Sequence, residues 1–239
     1  NQQLADFIFR RSFRRLRKQL DAVRPRAERV SQWTNYENDL HHYSNEDHET
    51  KSTFVRAALS RAGAGRVLDI GANTGEYSLM AAAQGASVVA ADFDVAALDR
   101  LYERIKAGRS SITPVVFNIV RPTPAVGWGN REVDSFLVRA CGQFRMVMVL
   151  ALLHHLIVTE RVPLEFVIKL LFDLNAPFLL IEWVGPEDPR FRQIAKTHGD
   201  LYANLSVAVF ERELEAHFRI VERLPLASKT RTLYLCERC

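Results

Sequence analysis

Two clusters in this 239-residue chain have residue types and spacing suited to chemistry. The first is Asp69, Gly71 and Gly75, in the run Val67-Leu68-Asp69-Ile70-Gly71-Ala72-Asn73-Thr74-Gly75, with Asp92 farther on. Glycines at this spacing lack the β-carbons that would forbid a sharp turn, and they let a ligand come close to the main chain. An acid after the following strand can accept hydrogen bonds from the two hydroxyls of a ribose. The second cluster is His154-His155, at the end of the apolar stretch 146–153. An imidazole, with an unperturbed pKa of about 6.5, can take a proton near neutral pH. Binding of a ribose-bearing ligand at the first cluster and proton acceptance at the second are the chemistries to position.

The surrounding pattern supplies the elements that position them. Residues 67–70 are an apolar run too short for a helix and cut off by glycine, which reads as a buried strand. A helix over 76–84, with small Ala81, Ala82 and Ala83, can lie close on a sheet, and a second strand over 87–91 ends in Asp92. This is one βαβ unit. A dinucleotide fingerprint needs G-x-G-x-x-G, and the middle glycine is missing. A P-loop needs Gly-Lys-Ser/Thr, and no lysine follows Gly75. What remains is a ligand with a ribose and no phosphate.

On these residues the stretch resembles motif I of the class I S-adenosylmethionine (SAM) methyltransferases: Asp69, Gly71 and Gly75 match Asp-x-Gly-x-x-x-Gly, and Asp92 matches the ribose acid. The resemblance implies a doubly wound α/β fold with a mostly parallel seven-stranded sheet whose last strand is antiparallel. It implies SAM as cofactor, with Gly71, Ala72, Asn73 and Gly75 lining the methionine part, Phe93 beside the adenine, Asn118 accepting a bond from the adenine amine, and Ile119 and Leu150 completing the site. His155 aligns with a histidine common in the small-molecule branch, as in quinone-biosynthesis O-methyltransferases, with His154 second. The Asn/Asp-Pro-Pro-aromatic motif of nucleobase amine methylation is missing here. The resemblance therefore implies O-methylation of a small hydroxylated acceptor, a metabolite or a glycan. Trp33, Tyr36, Tyr43, Trp128 and Glu182 are the candidate acceptor contacts, and an insert over 185–204 is a candidate cover. The Leu-His-His-Leu stretch and Gly127-Trp128-Gly129 look like a little-characterised bacterial subgroup, which implies the cytoplasm.

Along the rest of the chain, 48% hydrophobic and 25% charged residues suit a globular protein with one large core. No apolar run reaches the ~18 residues of a membrane span. Three scattered cysteines suit a reducing compartment. Cys236 and Cys239 form a C-x-x-C without the second pair a zinc site needs, so no metal site is expected. Residues 1–30 carry nine Arg/Lys against Asp6, Asp21 and Glu28, more than the whole net charge of +4. They begin with an amphipathic basic helix over 4–20, which could pack on the domain, lie on an anionic membrane or contact RNA phosphate. The expected division is a helical extension or lid over 1–62 and a SAM-binding domain over 63–239. An RNA methyltransferase using the basic helix, and a SAM-binding scaffold without turnover, remain as alternatives. Oligomeric state is not legible.

Overall fold

The computed structural model describes residues 2–23, 45–108, 110–196 and 201–239. Contacts group the chain into two units, 1–30 and 31–239. The first holds α1 (Gln2–Ala22), a helix with all its described side chains exposed. From Phe9 onward, Phe9, Phe13, Leu16 and Leu20 share one face of it and Arg11, Arg14 and Lys18 lie opposite, as the 3.6-residue period requires.

The second unit is built on a seven-stranded sheet of order β3-β2-β1-β4-β5-β7-β6. Its strands are β1 (Arg66–Ile70), β2 (Ser87–Asp92), β3 (Ile112–Val116), β4 (Met146–Val149), β5 (Phe178–Val184), β6 (Phe218–Pro225) and β7 (Arg231–Arg238). The first five strands pair in parallel, and β7 runs antiparallel between β5 and β6. The order reverses between β1 and β4, so the connections leaving the carboxyl ends of those strands go opposite ways and open a crevice. Helices α2 (Asn45–Ala62), α3 (Glu76–Ala83), α4 (Val95–Ile105), α5 (Phe136–Ala140), α6 (Leu164–Asp173), α7 (Pro189–Ala195) and α8 (Val207–Glu215) complete this α/β fold.

Strand alternation divides the core into two faces. Leu68, Ile70, Val147, Val149, Leu179, Ile181 and Tyr234 pack in one cluster with residues of α6 and α8. Val67, Met146, Met148, Leu180, Leu233 and Leu235 pack in the other with Phe54, Val55, Ala58 and Leu59 of α2. The period of two therefore sends Asp69, Glu182 and Arg231 to the α2 face. That helix supplies much of the second cluster and so packs with the sheet, in the same contact unit, 31–239, as the strands.

Two local expectations change. A helix over 132–140 starts only at α5, because Glu132 and Val133 donate to the Val126 carbonyl in a small hairpin and Ser135 then caps the helix at the Val138 amide. The Leu-His-His-Leu stretch does not simply follow β4. After Val149 the chain turns through Ala151 with φ 51°, and residues His155–Thr159 form one wide π turn.

Candidate functional site

The glycine loop joins the ends of β1 and α3. Gly71 and Gly75 take φ of 79° and 84°, where a side chain is strained. A β-carbon on Gly71 would come within 3.2 Å of Leu152, and one on Gly75 within 2.4 Å of Leu101. Asn73 also has positive φ, 49°, and its side-chain oxygen accepts from the Thr74 amide at 2.7 Å. Asp92 fastens this loop to the end of β2: one carboxylate oxygen accepts from the Asn73 amide at 2.8 Å and the other from the Asp94 amide at 2.8 Å. A carboxylate offers about four lone-pair sites, so capacity remains for a ligand diol. Burial pushes the Asp92 carboxyl above the usual range, against the pull of those amides. Asp69, inside β1, accepts from the Ser78 hydroxyl at 2.6 Å, and burial raises its pKa to about 6.

Asp69, Gly71, Ala72, Asn73, Asp92, Phe93, Asn118, Ile119, Leu150 and His155 all line one pocket at the switch between β1 and β4. Gly75 lies one residue behind the lining, where it allows the tight pass over Leu101. Phe93 is 54% exposed and forms a free apolar wall. Asn118 is placed at the pocket, but its side-chain oxygen accepts from the Val120 and Arg121 amides at 2.9 and 3.1 Å. The expectation that this oxygen serves an adenine amine is therefore revised: both of its lone pairs are occupied in a local turn, and the side-chain NH2 is the group left to donate.

The two histidines separate as neighbours on a helical turn must. His155 reaches the pocket, whereas His154 is 2% exposed, lies behind it and packs against His155 with ring centroids 4.2 Å apart and planes tilted by 42°. Burial, then the neighbouring His155 and Arg231, pull His154 well below the ordinary histidine pKa, and its Nδ1 has no hydrogen-bond partner among the described residues. Burial, with Arg190 and Arg231 adding, lowers His155 to about 4. Both rings are neutral at physiological pH.

Of the candidate acceptor contacts, Trp128 is 89% exposed in the loop before α5 and does not line the pocket. Glu182 is fully buried and also outside the lining; one oxygen accepts from Lys51 Nζ at 2.7 Å and from the Ala151 amide at 2.9 Å. Its expected contact with an acceptor is corrected to an internal role, since no surface of it faces the pocket. Trp33, Tyr36 and Tyr43 lie outside the described residues.

The pocket also contains residues the sequence did not single out: His48 and Lys51 from α2, Glu76 and Tyr77 from α3, Thr159 from the π turn and Glu160 just after it. His48 pairs with Glu76 at 3.1 Å on one side, and Arg121 pairs with Glu160 at 2.9 Å on another. Lys51 lies 4.9 Å from the Tyr77 ring centroid. A signal for Lys51 existed: with Asp47, Phe54, Val55, Ala58 and Ala62 it lies on one stripe of α2, and a lysine is almost never placed on a buried stripe unless paired. Of the cysteines, Cys236 is buried and its thiol is pushed up to about 12, which leaves it chemically inert, and Cys239 is exposed.

No protein-family model matches the chain. It is 29% identical over 197 residues to nodulation protein NoeA of Rhizobium meliloti (strain 1021), a match covering 82% of this chain and 41% of that protein. The chain thus spans about two fifths of the length of that curated relative. Among solved structures, N-methyltransferase NodS from Bradyrhizobium japonicum WM9 in complex with S-adenosyl-L-homocysteine superposes with a TM-score of 0.58 at 15% identity, covering 86% of this chain and 98% of that one. The bifunctional kinase-methyltransferase WbdD superposes with a TM-score of 0.57 at 19% identity over 81% of this chain and 40% of that one. The architecture is the class I SAM-dependent methyltransferase fold.

Proposed function

We propose that this chain is a SAM-dependent methyltransferase that binds its cofactor in the β1/β4 pocket and methylates the hydroxyl of a small acceptor, a metabolite or a glycan, oriented by His155. The observation that carries this reading is convergence: the left-handed glycine loop, the Asp92 carboxylate and a neutral imidazole, from three separate parts of the sequence, line one pocket. The residues fit the cofactor. The missing side chain at Gly71 leaves a cradle bounded by Leu152, Asp92 keeps acceptor capacity for a ribose, and Phe93 with Ile119 provides apolar walls for a base.

In this reading Gly71, Ala72 and Asn73 line the methionine part, Asp92 holds the ribose hydroxyls, Phe93 and Ile119 enclose the adenine and Asn118 donates to a ring nitrogen. SAM supplies an electrophilic methyl on a sulfonium. His155 accepts a hydrogen bond from the acceptor hydroxyl, turns an oxygen lone pair toward the methyl and takes the proton as the oxygen loses it. Its lowered pKa suits orientation better than strong base catalysis, because a base far below the working pH gives little proton-transfer drive. Alignment of reacting atoms still supplies much of the rate in such transfers. The pocket walls, Leu150, Leu152 and Leu156, keep water from competing.

A second reading, methylation of RNA, rests on the basic face of α1. Cation-phosphate contacts make binding fall steeply with salt, whereas capture of a neutral small acceptor does not. The free cysteines are compatible with the reducing cytoplasm, where we place the activity.

Calorimetry with SAM tests the cofactor. Asp92→Ala removes charge-assisted bonds both to the ligand and to the Asn73 amide, and should weaken binding by about 2 to 4 kcal/mol. Failure of the parent protein to bind SAM would remove the function. Labelled SAM offered to metabolite, glycan and RNA pools at low and moderate salt tests the acceptor. Label in a hydroxylated small compound, reduced about 10²-fold or more in His155→Ala with SAM affinity intact, supports the reading. Label in RNA, or in an amine, overturns it.

A further inference from the structure

At the edge of the pocket and behind it lie four charged side chains that the proposed chemistry does not touch, Lys51 at the lining and the other three deeper. Lys51, Glu182, Asp188 and Arg231 are 2%, 0%, 2% and 2% exposed. Glu182 binds Lys51 through one oxygen at 2.7 Å, and its other oxygen lies 3.6 Å from Arg231 Nη1. Arg231 in turn donates to Asp188 through Nε at 2.8 Å and Nη2 at 3.2 Å. Two cations and two anions balance, as charges this deep must if they are to stay ionised.

The oxygen of Glu182 that takes Lys51 also accepts from the Ala151 amide at 2.9 Å. Ala151 holds φ 51°, a left-handed conformation that costs a non-glycine residue roughly 1–2 kcal/mol and persists only where surroundings impose it. The chain leaves that residue directly into the site: Ala151, Leu152 and His155 line the pocket, and the Leu152 carbonyl accepts from the His155 amide at 2.9 Å, opening the wide turn. Leu152 also bounds the space over Gly71. A single buried oxygen thus ties the strained residue, the imidazole-bearing turn and helix α2 together.

We propose that Glu182 is a positioning residue: its bond to the Ala151 amide holds the left-handed turn after β4, and so sets Leu152 and His155 against the pocket, while Lys51 is the counter-ion that keeps this carboxylate charged and docks α2 to the same point. This rests on the reading of the pocket as a SAM site. Glu182 acts through its neighbours and touches neither cofactor nor acceptor.

The test uses the full chain in three variants, Glu182→Gln, Glu182→Asp and the double variant Glu182→Gln with Ala151→Gly. Glutamine keeps the size and loses the charge, so the oxygen shared by Lys51 and the amide no longer neutralises the lysine and holds the amide with a weaker, uncharged bond. Aspartate keeps the charge for Lys51 and falls one methylene short of the amide, which protects the fold if an unpaired lysine would not. Two readouts are taken on folded protein: calorimetry with S-adenosyl-L-homocysteine, and the His155 ring signals in ¹⁵N-labelled protein without ligand. Each single variant should weaken binding by about tenfold and shift the His155 signals, the effect of a turn released from a strain of this size. Glycine adopts positive φ without that strain, so the double variant should recover binding to within about threefold of the parent. A merely structural loss elsewhere in the ionic cluster would not be rescued at residue 151.

Parent affinity and unmoved His155 signals in either folded single variant overturn the proposal, as does a double variant no better than Glu182→Gln. If the parent binds no S-adenosyl-L-homocysteine, the SAM reading fails by itself, and the ligand-free His155 signals still decide whether Glu182 sets the ring.

Discussion

Single residues in the pocket carry opposite pH signatures, and these separate their roles. Asp69 in the folded chain keeps its proton to about pH 6, whereas an unperturbed aspartate loses it at 3.8. Between those values the folded state holds the extra proton, so stability falls as pH rises from about 4 to about 6, and the penalty is complete above that window. Asp69→Asn keeps an oxygen for the Ser78 hydroxyl and removes the penalty. It should melt higher at pH 7.5, by up to about 3 kcal/mol, and show no advantage at pH 3.5, as urea unfolding at the two pH values would reveal. His155 runs the other way. Its folded value of about 4 lies below the 6.5 of an unperturbed histidine, so the unfolded state takes the proton first. Its contribution is full above pH 6.5 and is lost as pH falls toward 4, and His155→Gln should flatten the stability profile there. Turnover by the parent should show no inflection from His155 near pH 6.5.

At the scale of elements, the loop between β1 and α3 depends on two different devices at its ends. Asp92 reaches back from β2 to hold Asn73, while Gly75 lets α3 begin where a side chain would meet Leu101, which is fully buried. Gly75→Ala adds backbone strain at φ 84° and a contact that a packed leucine cannot yield. The variant should lose about 2 to 4 kcal/mol of stability and bind SAM weakly even where folded, both measurable by chemical denaturation and calorimetry. Helix α4 ends its own approach to the site differently, with Asp94 accepting from the Ala96 and Ala97 amides at 2.9 and 3.4 Å. Asp92 and Asp94 thus fix the loop and the helix beyond it from one short turn.

For the whole molecule, α2 decides where the sheet-bearing unit begins. Its buried stripe of Phe54, Val55, Ala58 and Leu59 fills one face of the sheet, Asp47 accepts from the Ala227 amide at 2.7 Å, and Lys51 neutralises Glu182. A chain of residues 31–239 should melt cooperatively. A chain of residues 63–239 should not, because it exposes that apolar face and leaves Glu182 without its lysine, a loss of roughly 3–5 kcal/mol from the ion pair alone. Circular dichroism on the two proteins checks this. Among the described residues no helix is long and apolar enough to cross a membrane.

Local pattern by itself determined the βαβ unit, most strand positions and the ligand class suggested by the glycine loop. Residues 67–75 and Asp92 could be read because the backbone demands of that turn are met by glycine and by little else, and those demands lie within one short segment. The alternation of short apolar runs with helical periods marked the individual strands and helices for the same reason, since each element's period is written in its own residues, whereas the seven-stranded arrangement was implied by the resemblance to class I methyltransferases. Tertiary structure decided the rest. The resemblance put His155 ahead of His154, but the way the chain brings that ring to the pocket runs through a left-handed residue, Ala151, whose conformation no side chain of its own requires. The occupation of the Asn118 oxygen follows from the path of the next three residues. The true place of Glu182 could not be read from β5 alone, since its partners come from α2, 131 residues away, and from the turn after β4, 31 residues away. Sequence spacing holds no record of such meetings, because they are fixed by how strand faces, set by a period of two, bring distant elements onto the same side of the sheet.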